Sequence, residues 1–129
     1  MTRDTAIRLA LWSTVGLNAL GVAVFGPLAI GLESSLVPVT APRYYAAQLV
    51  LTIGLFAGVY AWLARQPRIN RALVVVGGLG KLGFFALTLL YWLLGDLPGR
   101  MAVNATPDLL LAAVFLWWAG TEPAPARAD

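Results

Sequence analysis

Two ionisable side chains, Lys81 and Asp108, stand inside long apolar stretches and are the strongest candidates for chemistry in this sequence. Lys81 is the single charge in the run ALVVVGGLGKLGFFALTLLYWLLG, and Asp108 is the single charge in MAVNATPDLLLAAVFLWWAG. A charge inside a membrane is costly unless it is paired, hydrated or used in function. An ammonium and a carboxylate that meet there can hold helices together, bind a polar group or exchange a proton. We therefore expect Lys81 and Asp108 to form a pair.

The depths of the two residues are compatible with such a pair. Lys81 lies about 15 Å along a helix from Arg71, and Asp108 lies about 18 Å from Gly120. In a hydrocarbon core about 30 Å thick, both positions fall near the middle. The loop between the two apolar runs, residues 96–100, is short. The two helices should therefore be antiparallel neighbours, which makes the pairing geometrically easy.

Further polar residues share helix faces with this pair or with one another. Asn104 precedes Asp108 by one turn, and Thr88 follows Lys81 by two turns. Two stripes with a spacing of four residues are Thr14 and Asn18 in the first apolar run and Tyr44, Gln48 and Thr52 in the second. We expect these side chains to face the bundle interior, because lipid would leave them unsatisfied. The predicted intramembrane polar core, a candidate binding or structural site, consists of Lys81, Asp108, Asn18, Asn104, Gln48, Thr52 and Thr88.

Composition narrows the possible functions. The chain is 60% hydrophobic and 12% charged, with a mean hydropathy of +0.78, whereas soluble domains are about 45–50% apolar and about 25% charged. It contains no cysteine, hence no disulfide or thiolate chemistry, and no histidine, the commonest metal ligand and general base. We expect no catalytic residues, no cofactor and no metal. The net charge of +3 is carried by arginines near the ends of the apolar runs, so nucleic acid is not an expected partner.

Four apolar segments reach the length of about 20 residues that a membrane-spanning helix needs. They cover residues 9–32, 44–64, 72–95 and 101–120, separated by segments rich in proline, arginine or serine. The runs lack the two-residue alternation of strands. The sequence thus predicts an all-α fold: an integral membrane bundle of four antiparallel transmembrane helices in residues 1–120, followed by a disordered cytoplasmic tail, 121–129.

The arginines predict the orientation of this bundle. Cytoplasmic loops carry an excess of Lys and Arg. Arg3, Arg8, Arg65, Arg68, Arg71 and Arg127 lie on the side of the termini, and Arg43 and Arg100 lie on the other side. We expect a multi-pass protein of the cell inner membrane with both termini in the cytoplasm.

Two local patterns leave alternatives open. Thr106-Pro107 is typical of a helix start, with Thr106 as N-cap, but a helix from there would cover only about 20 Å. A longer fourth helix with a proline kink is therefore preferred. Gly54 and Gly58 form a G-x-x-x-G pattern, for which packing within the bundle is favoured over a dimer interface.

From the second span onward the chain resembles a group of small four-span bacterial membrane proteins and, more loosely, DoxX-like proteins. The resemblance rests on an aromatic near the end of the second span, Tyr60, an arginine-rich loop over 65–71, the step Gly80-Lys81, and Asp108-Leu109 in the fourth span. It implies the four-helix fold and indicates little about activity.

Three functions are compatible with these features. The first is a non-enzymatic binding or accessory subunit in which Lys81–Asp108 fixes the core. The second is a small oligomeric transporter or channel that uses the pair, and the third is a membrane enzyme acting on a lipid or isoprenoid. Expected partners are the lipid bilayer, a lipophilic small molecule, and either a second copy or a membrane partner subunit.

Overall fold

The computed structural model describes residues 2–37 and 40–121, and within them the regular structure is entirely helical. The helices are α1 (Arg3–Ala29), α2 (Arg43–Arg65), α3 (Arg71–Leu93), α4 (Gly99–Asn104) and α5 (Thr106–Thr121). Together α4 and α5 form one span, so four spans are long and apolar enough to cross a membrane. The predicted fold class is confirmed. The predicted tail, 121–129, begins one residue too early, because Thr121 is the last residue of α5; the rest of it lies outside the described residues.

Two helices begin at polar caps in front of their apolar stretches. The Thr2 side chain accepts a hydrogen bond from the Thr5 backbone N–H, and the Asn70 side chain accepts one from the Leu73 N–H, both at 3.2 Å. Such caps satisfy backbone donors that have no partner inside the helix. Because Thr2 caps α1, this helix starts at Arg3 and not at residue 9.

Helices α1 and α3 both end in a cap that contains a glycine. Gly31 and Gly95 have φ values of 82° and 85°, which glycine adopts without a steric penalty. After α3, the N–H of Asp96 bonds to the Tyr91 carbonyl at 2.9 Å and that of Gly95 to the Trp92 carbonyl at 3.0 Å. This is the Schellman pattern, which satisfies the last carbonyls of the helix and turns the chain back.

The fourth span is helical from Gly99 onward, with an interruption at Ala105 alone. Pro107 lacks the N–H that would continue the backbone ladder. The Thr106 hydroxyl donates to the Ala102 carbonyl at 3.4 Å, back along the preceding turn. The fourth span is therefore the longer, interrupted one that begins at Gly99. Its second segment, α5, begins at Thr106 as its first helical residue, so Asp108 still lies in the first turn of a helix.

The spans pack as two helical hairpins, α1 with α2 and α3 with α4–α5. Backbone contact between the hairpins runs through α1 and α5. Over their described lengths, no Cα atom of α2 lies within 8 Å of a Cα atom of α3. One side of the bundle, between α2 and α3, is therefore bridged only by side chains.

The hydrophobic core lies at the end of the bundle where the described termini meet. The Arg3 guanidinium donates to the Thr121 hydroxyl at 2.8 Å, which places the two ends of the described chain side by side. The core residues at this packed end are Ile7, Ala10, Leu11, Tyr60, Leu63, Ala64, Val74, Phe115, Trp118 and Ala119. The opposite part, residues 18–29, 43–56, 82–93 and 99–104, contributes none of them and is called the open half below.

The G-x-x-x-G pattern lies on the outside of this bundle. A Cβ atom built at Gly54 or Gly58 would have nothing within 4 Å, whereas one at Gly21 would touch Ile53 at 3.4 Å. The expectation that Gly54 and Gly58 pack within the bundle is wrong for the described residues, because α1 approaches α2 along the Ile53 side.

Candidate functional site

Lys81 and Asp108 form the predicted pair, at the boundary between the packed end and the open half. The Lys81 Nζ donates to Asp108 Oδ1 at 2.5 Å, and the side chains are 6% and 15% exposed. Lys81 comes from the middle of α3, and Asp108 comes from the first turn of α5. A carboxylate in the first turn of a helix is favoured by the helix dipole. The ion pair thus ties α3 to the start of α5.

Tyr60 of α2 is the third member of this site, and it crosses the gap between the two hairpins. Its ring is 4% exposed, and the Lys81 Nζ lies 5.9 Å from the ring centroid. The ring lies against the backbone of Gly77, where an added Cβ would be 2.8 Å from Tyr60 Cε1. Glycine at position 77, one turn before Lys81, therefore lets the ring reach the lysine.

Sequence reasoning missed this role of Tyr60, which it had noted only as an aromatic near the end of the second span. The signal that could have revealed it is the placement of Gly77 four residues before Lys81, on the same helix face. Such a glycine beside a buried charge indicates that a bulky group from another helix fills the space.

The aromatic side chains around the pair form a continuous row. Tyr60 lies between Phe56 and Phe115, with ring centroids 6.0 Å and 5.8 Å away. Phe115 is fully buried in the core, and Phe56 is 39% exposed on the open half. The three rings therefore connect the packed core at Phe115, through Tyr60 beside Lys81, to the partly exposed Phe56 on α2.

The hydrogen-bonding capacity of the site is only partly used. A lysine ammonium has three donors, and a carboxylate has about four lone-pair sites. Among the described residues, Lys81 Nζ has Asp108 Oδ1 as its only acceptor, and Asp108 Oδ2 and the Tyr60 hydroxyl have no hydrogen-bond partner. The two charges neutralise each other, but the Lys81 ammonium keeps donors and the Asp108 carboxylate keeps acceptor sites that the pair itself does not use.

The remaining residues of the predicted polar core do not join this site. The Asn18 amide donates to the Ile53 carbonyl at 3.2 Å, which links α1 to α2. Thr88 is buried, but its hydroxyl donates to the Phe84 carbonyl of its own helix at 2.9 Å. Both side chains therefore form their hydrogen bonds away from Lys81.

Gln48, Thr52 and Asn104 are exposed, so the expectation that they face the interior is wrong. Gln48 donates to the Tyr44 hydroxyl, and Thr52 donates to the Gln48 carbonyl, each at 2.8 Å. A polar side chain that bonds within its own helix does not need an interior partner. The four-residue spacing correctly predicted that Gln48 and Thr52 share one face of α2, but it could not indicate whether that face is inside or outside the bundle.

Arg8 forms the main polar connection at the packed end. Its guanidinium donates to the carbonyls of Ala64 at 2.5 Å and Gln66 at 2.7 Å, where α2 ends. A cation at a helix C-terminus satisfies unpaired carbonyls and is favoured by the helix dipole. Arg65 adds a second link, with its guanidinium 5.5 Å from the centroid of the Trp12 ring. The arginines that predicted orientation therefore also join α1 to α2.

A separate cavity of about 420 Å³ lies at the far end of the open half, around the α1–α2 connection. Glu33 and Arg43 are among its lining residues, and the Arg43 side chain lies over Gly31. Neither Lys81 nor Asp108 lines it. Among the described residues, no group of three acidic side chains could hold a metal ion.

Comparison with known proteins does not assign this site. No protein-family model, curated protein or solved structure matches the chain. The resemblance to DoxX-like proteins stays a prediction, and function must be argued from the site itself.

Proposed function

We propose that this chain is a non-enzymatic protein of the inner membrane that acts as a binding or accessory subunit, with Lys81–Asp108 fixing its core. The observation that carries the proposal is the direct contact of the two charges at 2.5 Å. The two charges neutralise each other. Of the other predicted polar residues, Asn18, Gln48, Thr52 and Thr88 form hydrogen bonds away from the pair, and Asn104 is exposed.

The position of the pair supports a role in helix packing. Lys81 and Asp108 lie where α3 and α5 leave the hydrophobic core, so the pair holds these helices together beyond the last core contacts. An unpaired charge at the middle of a membrane costs about 2.5–3.5 kcal/mol on insertion scales. Moving α3 away from α5 would leave both charges unpaired, so the pair opposes separation of the two helices.

A non-enzymatic role is favoured by the chemistry available at the pair. General acid–base catalysis needs a proton donor or acceptor placed against a substrate. Here the ammonium and the carboxylate face each other, and the chain has no histidine or cysteine to supply a second reactive group. Tyr60 contributes a ring face toward Lys81, which stabilises the cation and does not activate it.

The packing role is tested by a double-mutant cycle. We expect Lys81→Met and Asp108→Leu each to lower the free energy of unfolding, measured by SDS titration of the purified protein, by about 2–3 kcal/mol. The double variant should recover at least half of this loss, because no unpaired charge remains. Single variants as stable as the wild type, or a double variant whose loss equals the sum of the two, would contradict the proposal.

The proposed orientation places both termini in the cytoplasm, as the arginine distribution favours. The chain has no native cysteine, so single cysteines can be labelled without a background. In intact spheroplasts, a membrane-impermeant maleimide should label Ser35→Cys in the α1–α2 connection and not Arg68→Cys in the α2–α3 connection. The reverse labelling would place the termini outside.

A further inference from the structure

We propose that the cavity at the α1–α2 connection binds the phosphoethanolamine headgroup of a membrane lipid, with its phosphodiester on Arg43 and its primary ammonium on Glu33. The cavity has a volume of about 420 Å³, and small-molecule sites typically have about 300–1,000 Å³. The inference is separate from the packing role of Lys81–Asp108, because neither residue lines this cavity.

The cavity is enclosed by a connection that has its own hydrogen bonds. The Leu36 N–H donates to the Ser34 hydroxyl at 3.3 Å, and the Val37 N–H donates to the Ser34 carbonyl at 3.2 Å. These bonds turn the chain inward, so that Val37 is 5% exposed although it lies between two helices. Val37 and the half-buried Leu28 both line the cavity. Its inner wall is therefore apolar and part of the folded connection.

Arg43 gives the cavity a cation with unused donors. It is the first residue of α2, and its guanidinium lies over Gly31 at the end of α1. Any side chain at position 31 would collide with this guanidinium, so the glycine allows the arginine to fold back across the connection. Within residues 2–37 and 40–121, the guanidinium donates no hydrogen bond. A guanidinium binds a phosphate through two parallel hydrogen bonds, which makes a phosphodiester its best partner here.

Glu33 gives the same cavity an anion, and this selects the ligand. Over the described ranges, Glu33 and Arg43 form no ion pair with each other, although both line the cavity. A ligand that carries both charges would neutralise both side chains. An anionic headgroup would meet the carboxylate as a like charge, and a trimethylammonium group has no N–H to donate to it. A primary ammonium next to a phosphodiester satisfies both requirements.

The position of the cavity favours a lipid as the source of this group. The cavity lies where α1 ends and α2 begins, at the boundary of two candidate spans. Tyr44 and Tyr45 follow Arg43 and are 66% and 62% exposed. Tyrosine is enriched at the level of the lipid headgroups. Leu32 lines the cavity beside Glu33 and is 58% exposed, so it offers apolar surface to the lipid chains.

The test measures which lipids the full chain retains. The protein is placed in nanodiscs with equal amounts of phosphatidylethanolamine, phosphatidylcholine and phosphatidylglycerol of the same acyl chains, and the bound lipids are counted by native mass spectrometry. We expect phosphatidylethanolamine to be retained about fivefold over either of the others, the preference that one exposed charge contact provides. Equal retention of the three lipids, or a preference for one of the other two, would overturn the proposal.

Matched charge substitutions at the same end of the bundle locate the site. Arg43→Gln and Glu33→Gln should each abolish the preference, and Glu33→Gln should raise the retention of phosphatidylglycerol to that of phosphatidylethanolamine. The controls are Arg100→Gln and Asp96→Asn, which change exposed residues that do not line the cavity and should keep the preference. A preference that survives in the first two variants, or is lost equally in all four, would contradict the site.

A second pair of variants fills space and keeps every charge. Ala41 lines the cavity, so Ala41→Trp should lower the retention of phosphatidylethanolamine by about fivefold. Ala47→Trp is the control, because Ala47 is exposed on α2 and does not line the cavity. Unchanged retention in an Ala41→Trp variant that unfolds at the wild-type SDS concentration would contradict binding at this position.

A last arm separates the lipid from a soluble form of the same group. Excess glycerophosphoethanolamine is added to the protein in phosphatidylcholine nanodiscs. Binding to the wild type and not to Arg43→Gln would identify the free headgroup as a ligand of this site. Retention of phosphatidylethanolamine without such binding would identify the lipid, and absence of both would overturn the proposal.

Discussion

The two ends of this bundle are built from similar helices but differ in how those helices meet. At the packed end, residues from all four spans enclose Phe115 and Leu63, which are fully buried. In the open half, large apolar side chains such as Phe56 and Phe84 stay partly exposed. The Lys81–Asp108 pair lies between the two regions.

This difference indicates that the pair is placed where apolar packing stops being sufficient. Between membrane helices, lipid competes with side chains for apolar contacts, so close packing and polar contacts decide which helices associate. At the packed end, Tyr60 against Gly77 supplies the close packing. One turn further along α3, the ion pair supplies a polar contact, and beyond it the bundle opens.

The largest expected contrast comes from truncating one phenylalanine in each region. Phe115→Ala should lower the free energy of unfolding by about 3 kcal/mol, because it leaves a cavity in the core. Phe84→Ala should cost less than about 1 kcal/mol, because its ring is already partly exposed. SDS titration followed by tryptophan fluorescence measures both, and equal losses would contradict the division into a packed end and an open half.

A second contrast uses two glycines of the same helix. Gly77→Leu should destabilise by about 1–3 kcal/mol, because the new side chain displaces the Tyr60 ring. Gly80→Leu has open space and should be neutral or slightly stabilising, since leucine is the better helix former. If both variants unfold at the wild-type SDS concentration, Tyr60 does not close the gap between the hairpins.

The arginines give a third, smaller contrast. Arg8→Ala should cost about 1.5–2 kcal/mol, because it leaves the terminal carbonyls of α2 without their charged donor. Arg43→Ala, at the opposite end of α2, should change stability by less than about 0.5 kcal/mol, because its side chain is exposed. Thermal unfolding in detergent is a suitable measurement. A larger loss of stability for Arg43→Ala than for Arg8→Ala would contradict the greater stabilising role of Arg8.

The smallest effects should come from the polar residues outside the pair. Asn18→Leu removes one hydrogen bond between α1 and α2 and should cost about 0.6 kcal/mol. Thr52→Val removes a bond within one helix on an exposed face and should stay within about 0.5 kcal/mol of the wild type. A loss above that for Thr52→Val in nanodiscs would indicate that its face is covered in the membrane.

Some parts of the site were predictable and others were not. Lys81 and Asp108 could be paired from sequence, because a short loop makes their helices neighbours and counting along the helices predicts similar depths for the two residues. Gln48 and Thr52 were placed on the wrong side, because a polar stripe shows a shared face and not its direction. The role of Tyr60 was missed because its contact with Gly77 joins α2 to α3. The distance between these two helices cannot be inferred from the local sequence of either one.

By itself, the sequence determined the number of spans, their approximate ends and the pairing of Lys81 with Asp108. Hydrophobic length, capping residues and the cost of a lone charge are local quantities that can be read along the chain. Only the tertiary structure decided that the bundle is packed at one end and open at the other. That outcome depends on which helix faces meet, and in a chain that is apolar almost all round, the pattern of hydrophobic residues does not distinguish one face from another.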